Sequence, residues 1–467
     1  MIKKQNLPAF GIKDKLGYLL GDLGNDFTFI LSSTFLLKFY TDVMHVSAAV
    51  VGVVMMAARF LDAFTDVTMG RIADRMKPGG AGKFKPWILR MGGPVAVASF
   101  LIYQSSLADA PLGVRVAWLA VTYILWGSVF YTSINIPYGS MASAISHAPE
   151  DRQSLSTYRT MGSTVAGVII GVGVPLFAYD TVTVGGVVSA VMNGPRFTLI
   201  AGAFSALAVV SYLFCYFLCT ERVVTESVEG TRRGFLSLFG DALRNRALIS
   251  IIVASVLMLF SQLTMQQMAN YLFPDYYGTT AAQSASTLAM LGSMTVSAAV
   301  AKPLSRRLGK AELGAISSLF AAVVSIILYI LKPDNVWIYV LVSLAMWFGL
   351  GIFSMVSWAL ITDVIDDSEV RVGVREDGSI YALYSFARKL GQAAAAGTSG
   401  VLLSLIGYEK AVGVPLAESV KNGIYSLSTL VPAIGFAALG LVLWLWYPLH
   451  KRRVEENVRI LSERRRG

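Results

Sequence analysis

The chain has 467 residues, of which 55% are hydrophobic and 15% are charged, and its mean hydropathy is +0.60. Soluble domains carry about 25% charged residues, so this composition excludes a soluble globule and indicates a membrane protein with many spans. The net charge of +10 comes from Lys and Arg that flank the apolar stretches. We therefore expect a lipid bilayer around the protein and no nucleic-acid partner.

Apolar segments long enough to cross a bilayer recur twelve times along the chain. Most Lys and Arg residues lie on the two ends of the chain or near the connections that follow even-numbered segments. The positive-inside rule then places both termini in the cytoplasm. The predicted spans are 17–40, 47–70, 86–105, 116–142, 155–178, 197–219, 247–272, 284–304, 313–331, 336–362, 379–406 and 423–447.

A long polar stretch separates the first six spans from the last six. The second and eighth spans both end in short basic turns, around Arg71 and Arg306, which are equivalent places in the two halves. Parallel repeats of six spans are typical of transporters of the major-facilitator type. We predict a six-helix bundle at 1–220, a cytoplasmic linker at 221–246, a second bundle at 247–450 and a basic cytoplasmic tail at 451–467.

The first span carries two carboxylates, Asp22 and Asp26, four residues apart and therefore on one helix face. Asp26 lies deeper in the span. A carboxylate at this depth can accept charge-assisted hydrogen bonds from the hydroxyl groups of a sugar. For Asp22, an interfacial position without a ligand is an equally acceptable interpretation.

In the second span Arg59, Asp62 and Asp66 also lie on one helix face, with Thr65 beside them. Ionised residues within a bilayer are costly, so each needs a partner or a function. Two carboxylates one turn apart repel each other unless a cation or proton lies between them, and oxygen ligands suit hard cations. We predict a coupling-ion site, with Na⁺ as the candidate ion at Asp62 and Asp66. The alternative is a structural Arg59 and Asp62 ion pair.

The fourth and fifth spans contribute two further candidates. Asn135 precedes Pro137, which has no amide hydrogen and frees a carbonyl group, so a helix irregularity at a site is one interpretation and ordinary kinking is the other. Arg159 begins the fifth span, where an arginine can bind a ligand or can snorkel to solvent.

The tenth and eleventh spans bring aromatic and cationic residues together. Trp358 and Tyr384 offer rings that can stack on the apolar faces of a sugar, although packing is the commoner role of such rings. Arg388 and Lys389 are adjacent and well inside the eleventh span. These cations can neutralise the acidic residues of other spans or hold a substrate carboxylate.

At this point the residues resemble the glycoside-pentoside-hexuronide:cation symporters, a branch of the major-facilitator superfamily that includes melibiose and glucuronide carriers. The resemblance covers nearly the whole chain. It rests on several strings taken together: GYLLGDLGNDF, FYTDV, RFLDAFTDVTMGRIADR, GKFKPWIL, TYILWG, NIPYGSM, WALITDVIDD and GVREDGSIYALYSFARKLGQA.

The resemblance implies a role for each matching position. Residues that look like the family's cation ligands are Asp62, Thr65, Asp66 and Thr132. Residues that look like its sugar-binding acid, its fifth-helix arginine and its eleventh-helix lysine are Asp26, Arg159 and Lys389. We add Asn135, Trp358 and Tyr384 as substrate-binding candidates, and Asp22 and Arg59 as supporting charges. Asn135 and Gly139 stand where melibiose carriers have an acid and a tryptophan, which argues against melibiose, and Thr65 replaces an asparagine.

The sequence therefore predicts an all-α membrane protein of the major-facilitator fold in a bacterial-type inner membrane. The expected function is cation-coupled uptake of a glycoside, pentoside or hexuronide by alternating access, with Na⁺ or H⁺ as coupling ion and no cofactor. Arg388 beside Lys389 favours an anionic sugar. The alternatives are a lipid or lysophospholipid symporter and a membrane sugar sensor that does not translocate. We expect a monomer and no enzymatic activity, because no zinc pattern or nucleophile elbow is present.

Overall fold

The structure is a computed structural model that describes residues 8–76, 79–184, 187–223, 245–373, 377–410 and 414–464. All twelve predicted apolar segments lie on helices, and these fall into two compact units. The first unit is Met1–Gly230 with Glu409–Val414, and the second is Thr231–Tyr408 with Pro415–Gly467. Most of the predicted linker, residues 224–244, lies outside the described residues.

Among its described residues, the first unit contains seven α-helices. They are α1 (Ile12–Asp42), α2 (Ala48–Arg75), α3 (Lys85–Ile102), α4 (Leu112–Ile124), α5 (Thr132–Ile145), α6 (Pro149–Phe177) and α7 (Gly194–Leu218). A π-helix, Leu125–Tyr131, joins α4 to α5, so the fourth predicted span is one continuous helical rod. A 3₁₀ turn, Ser105–Leu107, follows α3.

The second unit repeats this order. Its helices are α8 (Arg246–Tyr271), α9 (Ala281–Leu308), α10 (Lys310–Leu331), α11 (Val336–Val372), α12 (Asp377–Leu405), α13 (Glu418–Leu441) and α14 (Lys451–Arg464), with π-helices at Leu272–Tyr276 and Val442–Trp446. In the first unit α1 packs against α6 and α7, and α3 packs against α7; in the second, α8 packs against α12 and α13, and α10 packs against α13. The same neighbours recur, as a repeat of six helices requires.

Within the described part of the chain, nine helices have the length and hydropathy needed to cross a membrane. Helices α1, α3 and α12 are not among them; α1 and α12 carry ionised residues along their length, including Asp26 and Lys38 on α1 and Lys389 on α12. The number of twelve spans and the cytoplasmic position of both termini stay predictions.

Close helix packing in the first unit depends on glycine. A Cβ atom at Gly162 of α6 would lie 2.5 Å from the Leu19 carbonyl oxygen of α1, and one at Gly24 of α1 would lie 2.9 Å from the Tyr212 ring of α7. Small residues let helix backbones approach in this way in membrane proteins. The approach brings the acidic residues of α1 next to α6.

A β-hairpin between α6 and α7 departs from the all-α prediction. Strands β1 (Tyr179–Val184) and β2 (Val187–Met192) pair in antiparallel register. Alternating Val and Thr around two glycines is a hairpin pattern. Asn193 donates a 2.7 Å hydrogen bond to Asp180, and Arg196 forms a 2.8 Å ion pair with it. These two contacts lower the pKa of the Asp180 carboxyl below its usual range.

The predicted basic tail is a helix, α14, that packs on the second unit. Asn457 and Leu461 are its buried residues, and the Asn457 amide donates a 3.0 Å hydrogen bond to the buried Asp367 carboxylate of α11. Arg464 donates to the carbonyl groups of Glu369 and Val370 at the end of α11. The tail is therefore part of the fold up to Arg464.

Candidate functional site

The predicted site residues fall into two groups, one in each unit, which are described separately. In the first unit, the two carboxylates of α2 each accept a hydrogen bond from a hydroxyl group of the fourth predicted span. Ser128 Oγ donates to Asp62 Oδ1, and Thr132 Oγ1 donates to Asp66 Oδ1 at 2.9 Å. Asp62 and Thr132 are buried, while Asp66 is half-buried. The structure thus brings the predicted cation ligands Asp62, Asp66 and Thr132 into one oxygen-rich cluster.

The π-helix Leu125–Tyr131 positions this cluster. π-Helices are frequent at functional sites. The Gly127 carbonyl accepts the backbone N–H of Thr132, as the π-helical pattern requires, and also a 3.1 Å hydrogen bond from Thr132 Oγ1. A Cβ atom at Gly127 would lie only 3.4 Å from Asp62 Oδ1. Carboxylate, hydroxyl and carbonyl oxygens therefore meet within one helical turn, a donor set that suits a hard cation.

The helix irregularity lies earlier in the chain than predicted. Helix α5 runs from Thr132 to Ile145 with Pro137 inside it, and the change of helix type lies before Thr132, at Leu125–Tyr131. The role of Asn135 at a site stays a prediction. Asn135 itself is half-buried on α5, three residues after Thr132. A π-helix leaves no proline or other simple mark in the sequence, which is why its position was missed.

Arg59 forms the ion pair with Asp62 that the structural interpretation of the second span expected, with 3.3 Å between Nη1 and Oδ2. The guanidinium also packs against three rings: Phe29 at 4.9 Å, and Tyr123 and Trp126 at 5.9 Å each. These contacts fix the position of the charge. Asp62 is therefore both ion-paired and bound by Ser128, so the ion pair and the oxygen cluster coexist.

The Thr65 hydroxyl is hydrogen-bonded to the backbone of its own helix. It donates a 3.2 Å hydrogen bond to the Asp62 carbonyl oxygen, one turn back on α2. Since a hydroxyl oxygen has two lone pairs, Thr65 keeps acceptor capacity beside the two carboxylates.

A second polar group of the first unit joins α1 to α6. Arg159 Nε donates to Asp22 Oδ1 at 2.9 Å, and the guanidinium lies 5.4 Å from the centre of the Tyr138 ring. Asp22 is buried inside the first unit, and its cationic partner Arg159 offsets its charge there. Asp26 is half-buried one turn further along α1, on the same helix face as Asp22.

In the second unit, the predicted aromatic residues lie together. The Trp358 and Tyr384 rings meet edge to face with 5.4 Å between their centres. The Arg388 guanidinium lies 5.3 Å from the Trp358 ring and 5.9 Å from the Tyr384 ring. Trp358 is 45% exposed, whereas Tyr384 is buried. Lys389 follows Arg388 on α12 and is half-buried.

Sequence reasoning missed Ser128, whose hydroxyl binds Asp62. Ser128 stands four residues before Thr132, a helical spacing that places it near a residue already predicted as a ligand. Helical spacing around the chosen residues therefore contained the signal, but serine is common in membrane helices and gives no distinct mark by itself.

Comparison with known proteins identifies the family and the fold. The MFS/sugar transport protein family model matches residues 17–451. A glucuronide carrier protein homolog of Escherichia coli is 30% identical, with 97% of this chain and 95% of that protein covered. An uncharacterized symporter of Bacillus subtilis is 28% identical, with 97% and 96% covered. The crystal structure of a D-xylose-proton symporter shares the fold, with a TM-score of 0.64 at 13% identity over 93% of this chain and 98% of that one.

These findings confirm the resemblance, the membrane location and the non-enzymatic class. The matched family consists of multi-pass membrane transporters, as predicted for a protein of a bacterial plasma membrane. The family also implies a sugar as small-molecule substrate. The chain therefore belongs to the MFS/sugar transport protein family, within the glycoside-pentoside-hexuronide branch of the major-facilitator transporters.

Proposed function

We propose that the protein couples the downhill entry of a monovalent cation, Na⁺ or H⁺, to uptake of a glycoside, pentoside or hexuronide by alternating access. The observation that carries this proposal is the carboxylate pair of α2, with one hydroxyl donor on each carboxylate. Two acids one turn apart in a membrane helix are costly unless a positive charge offsets them at some stage of the cycle.

In this mechanism Asp62 and Asp66 bind the cation, and Thr132, Thr65 and Ser128 supply neutral oxygens. Arg59 already offsets the charge of Asp62. The Asp62 and Arg59 pair thus contributes no net charge, so the local charge suits a monovalent ion better than a divalent one. A proton on Asp66 would satisfy the same requirement when H⁺ is the coupling ion.

The proposed sugar-binding residues come from both units. They are Asp26, Asn135 and Arg159 in the first, and Trp358, Tyr384 and Lys389 in the second. Carboxylate and guanidinium groups recognise sugar hydroxyls through charge-assisted hydrogen bonds, and the exposed Trp358 ring offers an apolar face. A glucuronide carrier homolog among the relatives supports the substrate class. Coupling requires that cation binding change the affinity for the sugar, which is reciprocal by linkage.

The test is sugar uptake by purified protein in proteoliposomes under imposed gradients of Na⁺, Li⁺ or H⁺. We expect uptake to follow one of these gradients and to lose its cation dependence in Asp62→Asn and Asp66→Asn. Asp151→Asn is the matched control, because Asp151 also accepts a hydroxyl hydrogen bond, from Ser146 at 2.6 Å, but lies at the start of α6. Full cation stimulation in both α2 variants would refute the coupling site. Sugar binding without flux would instead indicate a sensor.

A further inference from the structure

Arg388 is a guanidinium group held against aromatic rings inside a membrane protein. It lies over Trp358 and Tyr384. The Tyr384 side chain is fully buried, and its hydroxyl has no hydrogen-bond partner among the described residues. Two neighbouring rings restrict the positions that the guanidinium can adopt, and its five N–H groups give it several donors for a ligand.

Within the described part of the chain, Arg388 has no carboxylate within ion-pair distance. The other arginines singled out in the helices differ. Arg59 contacts Asp62 at 3.3 Å and Arg159 contacts Asp22 at 2.9 Å. A cation retained in a membrane helix without an internal anion is costly, and such residues mark ligand or ion pathways. Since no carboxylate of the described residues pairs with Arg388, we take its charge as available to an anionic ligand.

The ring beside this cation is accessible. Trp358 is 45% exposed. It lies in an exposed stripe of α11 that also contains Met355, which is 44% exposed, and Thr362. An indole face binds the C–H face of a pyranose ring, while a guanidinium binds carboxylate or sulfonate oxygens with two parallel hydrogen bonds. Both features recognise one molecule if the acidic group is a substituent of the sugar ring.

We propose that Arg388 binds the acidic group of the substrate and that Trp358 stacks on its ring, so the transported sugar is an anion that carries a carboxylate or a sulfonate. The inference rests on the proposed sugar transport and narrows its substrate class. Arg388 is then a specificity residue: it distinguishes an acidic sugar from the neutral sugar of the same shape, and it leaves cation binding to α2.

The experiment compares two probes that differ only in the acidic group, 4-nitrophenyl β-D-glucuronide and 4-nitrophenyl β-D-glucoside, by calorimetric binding to the purified full chain and by uptake into proteoliposomes. The 6-sulfonate of the same glucoside separates sulfonate from carboxylate preference. We expect one or both acidic probes to have a dissociation constant about tenfold or more below that of the glucoside. A charged bidentate contact is strong enough to give a difference of this size.

Arg388→Gln should lose this preference and bind the glucoside as the wild type does. Arg388→Lys, which keeps the charge without the planar fork, should retain only part of the preference. Trp358→Leu should weaken acidic and neutral probes alike. Arg371→Gln is the control, because Arg371 lies on the same α11 rod as Trp358 but is paired with Asp367 at 3.4 Å, and it should change neither probe.

Three results would overturn the inference. The wild type could prefer the glucoside, or the Arg388→Gln variant could bind both probes as before or lose both equally. If the wild type prefers the glucoside and takes it up under a cation gradient, the proposed symport stands and only the acidic substrate is removed. Absence of any cation-driven sugar uptake would remove the symport itself.

Discussion

The hydroxyl of Thr132 gives the sharpest test of the oxygen cluster on α2. It donates to Asp66 Oδ1 at 2.9 Å, and the residue is only 3% exposed, so water cannot take its place. Thr132→Val keeps the shape of the side chain and removes the oxygen. A hydrogen bond to a charged group is worth about 1.5–3 kcal/mol. If the hydroxyl serves the bound ion equally well, this loss weakens cation binding by about 10- to 150-fold.

The assay is the dissociation constant of Na⁺ or Li⁺, taken from the cation dependence of sugar binding by purified protein at fixed pH. Thr132→Ser retains the hydroxyl and should keep the constant within about threefold of the wild type, a difference worth less than 1 kcal/mol. Sugar binding at saturating cation should change little in both variants, since Thr132 is not among the proposed sugar ligands. A valine variant with an unchanged cation constant, or a serine variant as weak as valine, would contradict the assignment of Thr132 as a ligand.

Three further predictions concern stability. Arg159→Gln should lower the unfolding temperature more than Asp22→Asn, because the first leaves a buried carboxylate without its cation while the second leaves a side chain that is 41% exposed and can be solvated; the reverse order in a thermal shift assay would contradict this geometry. Gly162→Ala should destabilise the protein by forcing α1 and α6 apart, whereas Gly167→Ala, whose Cβ would meet a side chain only at 3.9 Å, should have little effect; equal unfolding temperatures would refute the close approach. Because the pKa of Asp180 is lowered in the folded state, its ionised form stabilises the hairpin above the unfolded pKa of about 3.9, and this contribution disappears as pH falls through the lower, folded value; wild type and Asp180→Asn should therefore differ in stability at pH 7 and converge only once the pH is below the folded pKa of Asp180, and a difference that persists at still lower pH would contradict the linkage.

Much of the site was predictable because charge in a membrane helix is rare. Asp62, Asp66 and Arg59 could be placed on one face from spacing alone, and the structure confirms the contact between Arg59 and Asp62. Spacing also places Ser128 near Thr132, but it does not identify Asp62 as the acceptor of the Ser128 hydroxyl. That contact depends on the π-helix that contains Ser128, and the widened turn has no compositional mark.

The packing of helices decided which partner each ionised residue has. Periodicity places Asp22 on α1 and Arg159 on α6, but only the glycine-mediated approach of these helices brings Nε and Oδ1 to 2.9 Å. The same holds for Arg388, whose contact with Trp358 joins two helices of the second unit. Spacing along a helix fixes a face, and packing decides which neighbour that face meets.

The amino-acid sequence by itself determined that the chain is a helical membrane protein, because its hydropathy demands internally hydrogen-bonded segments, and it determined which segments form helices and which residues carry costly charge. Tertiary structure alone decided that the fourth rod changes to a π-helix, that the basic tail docks on α11, and which donor each carboxylate receives. The physical reason is that burial and period are local properties of the chain, whereas hydrogen-bond and ion-pair partners depend on distances between helices that are remote in sequence.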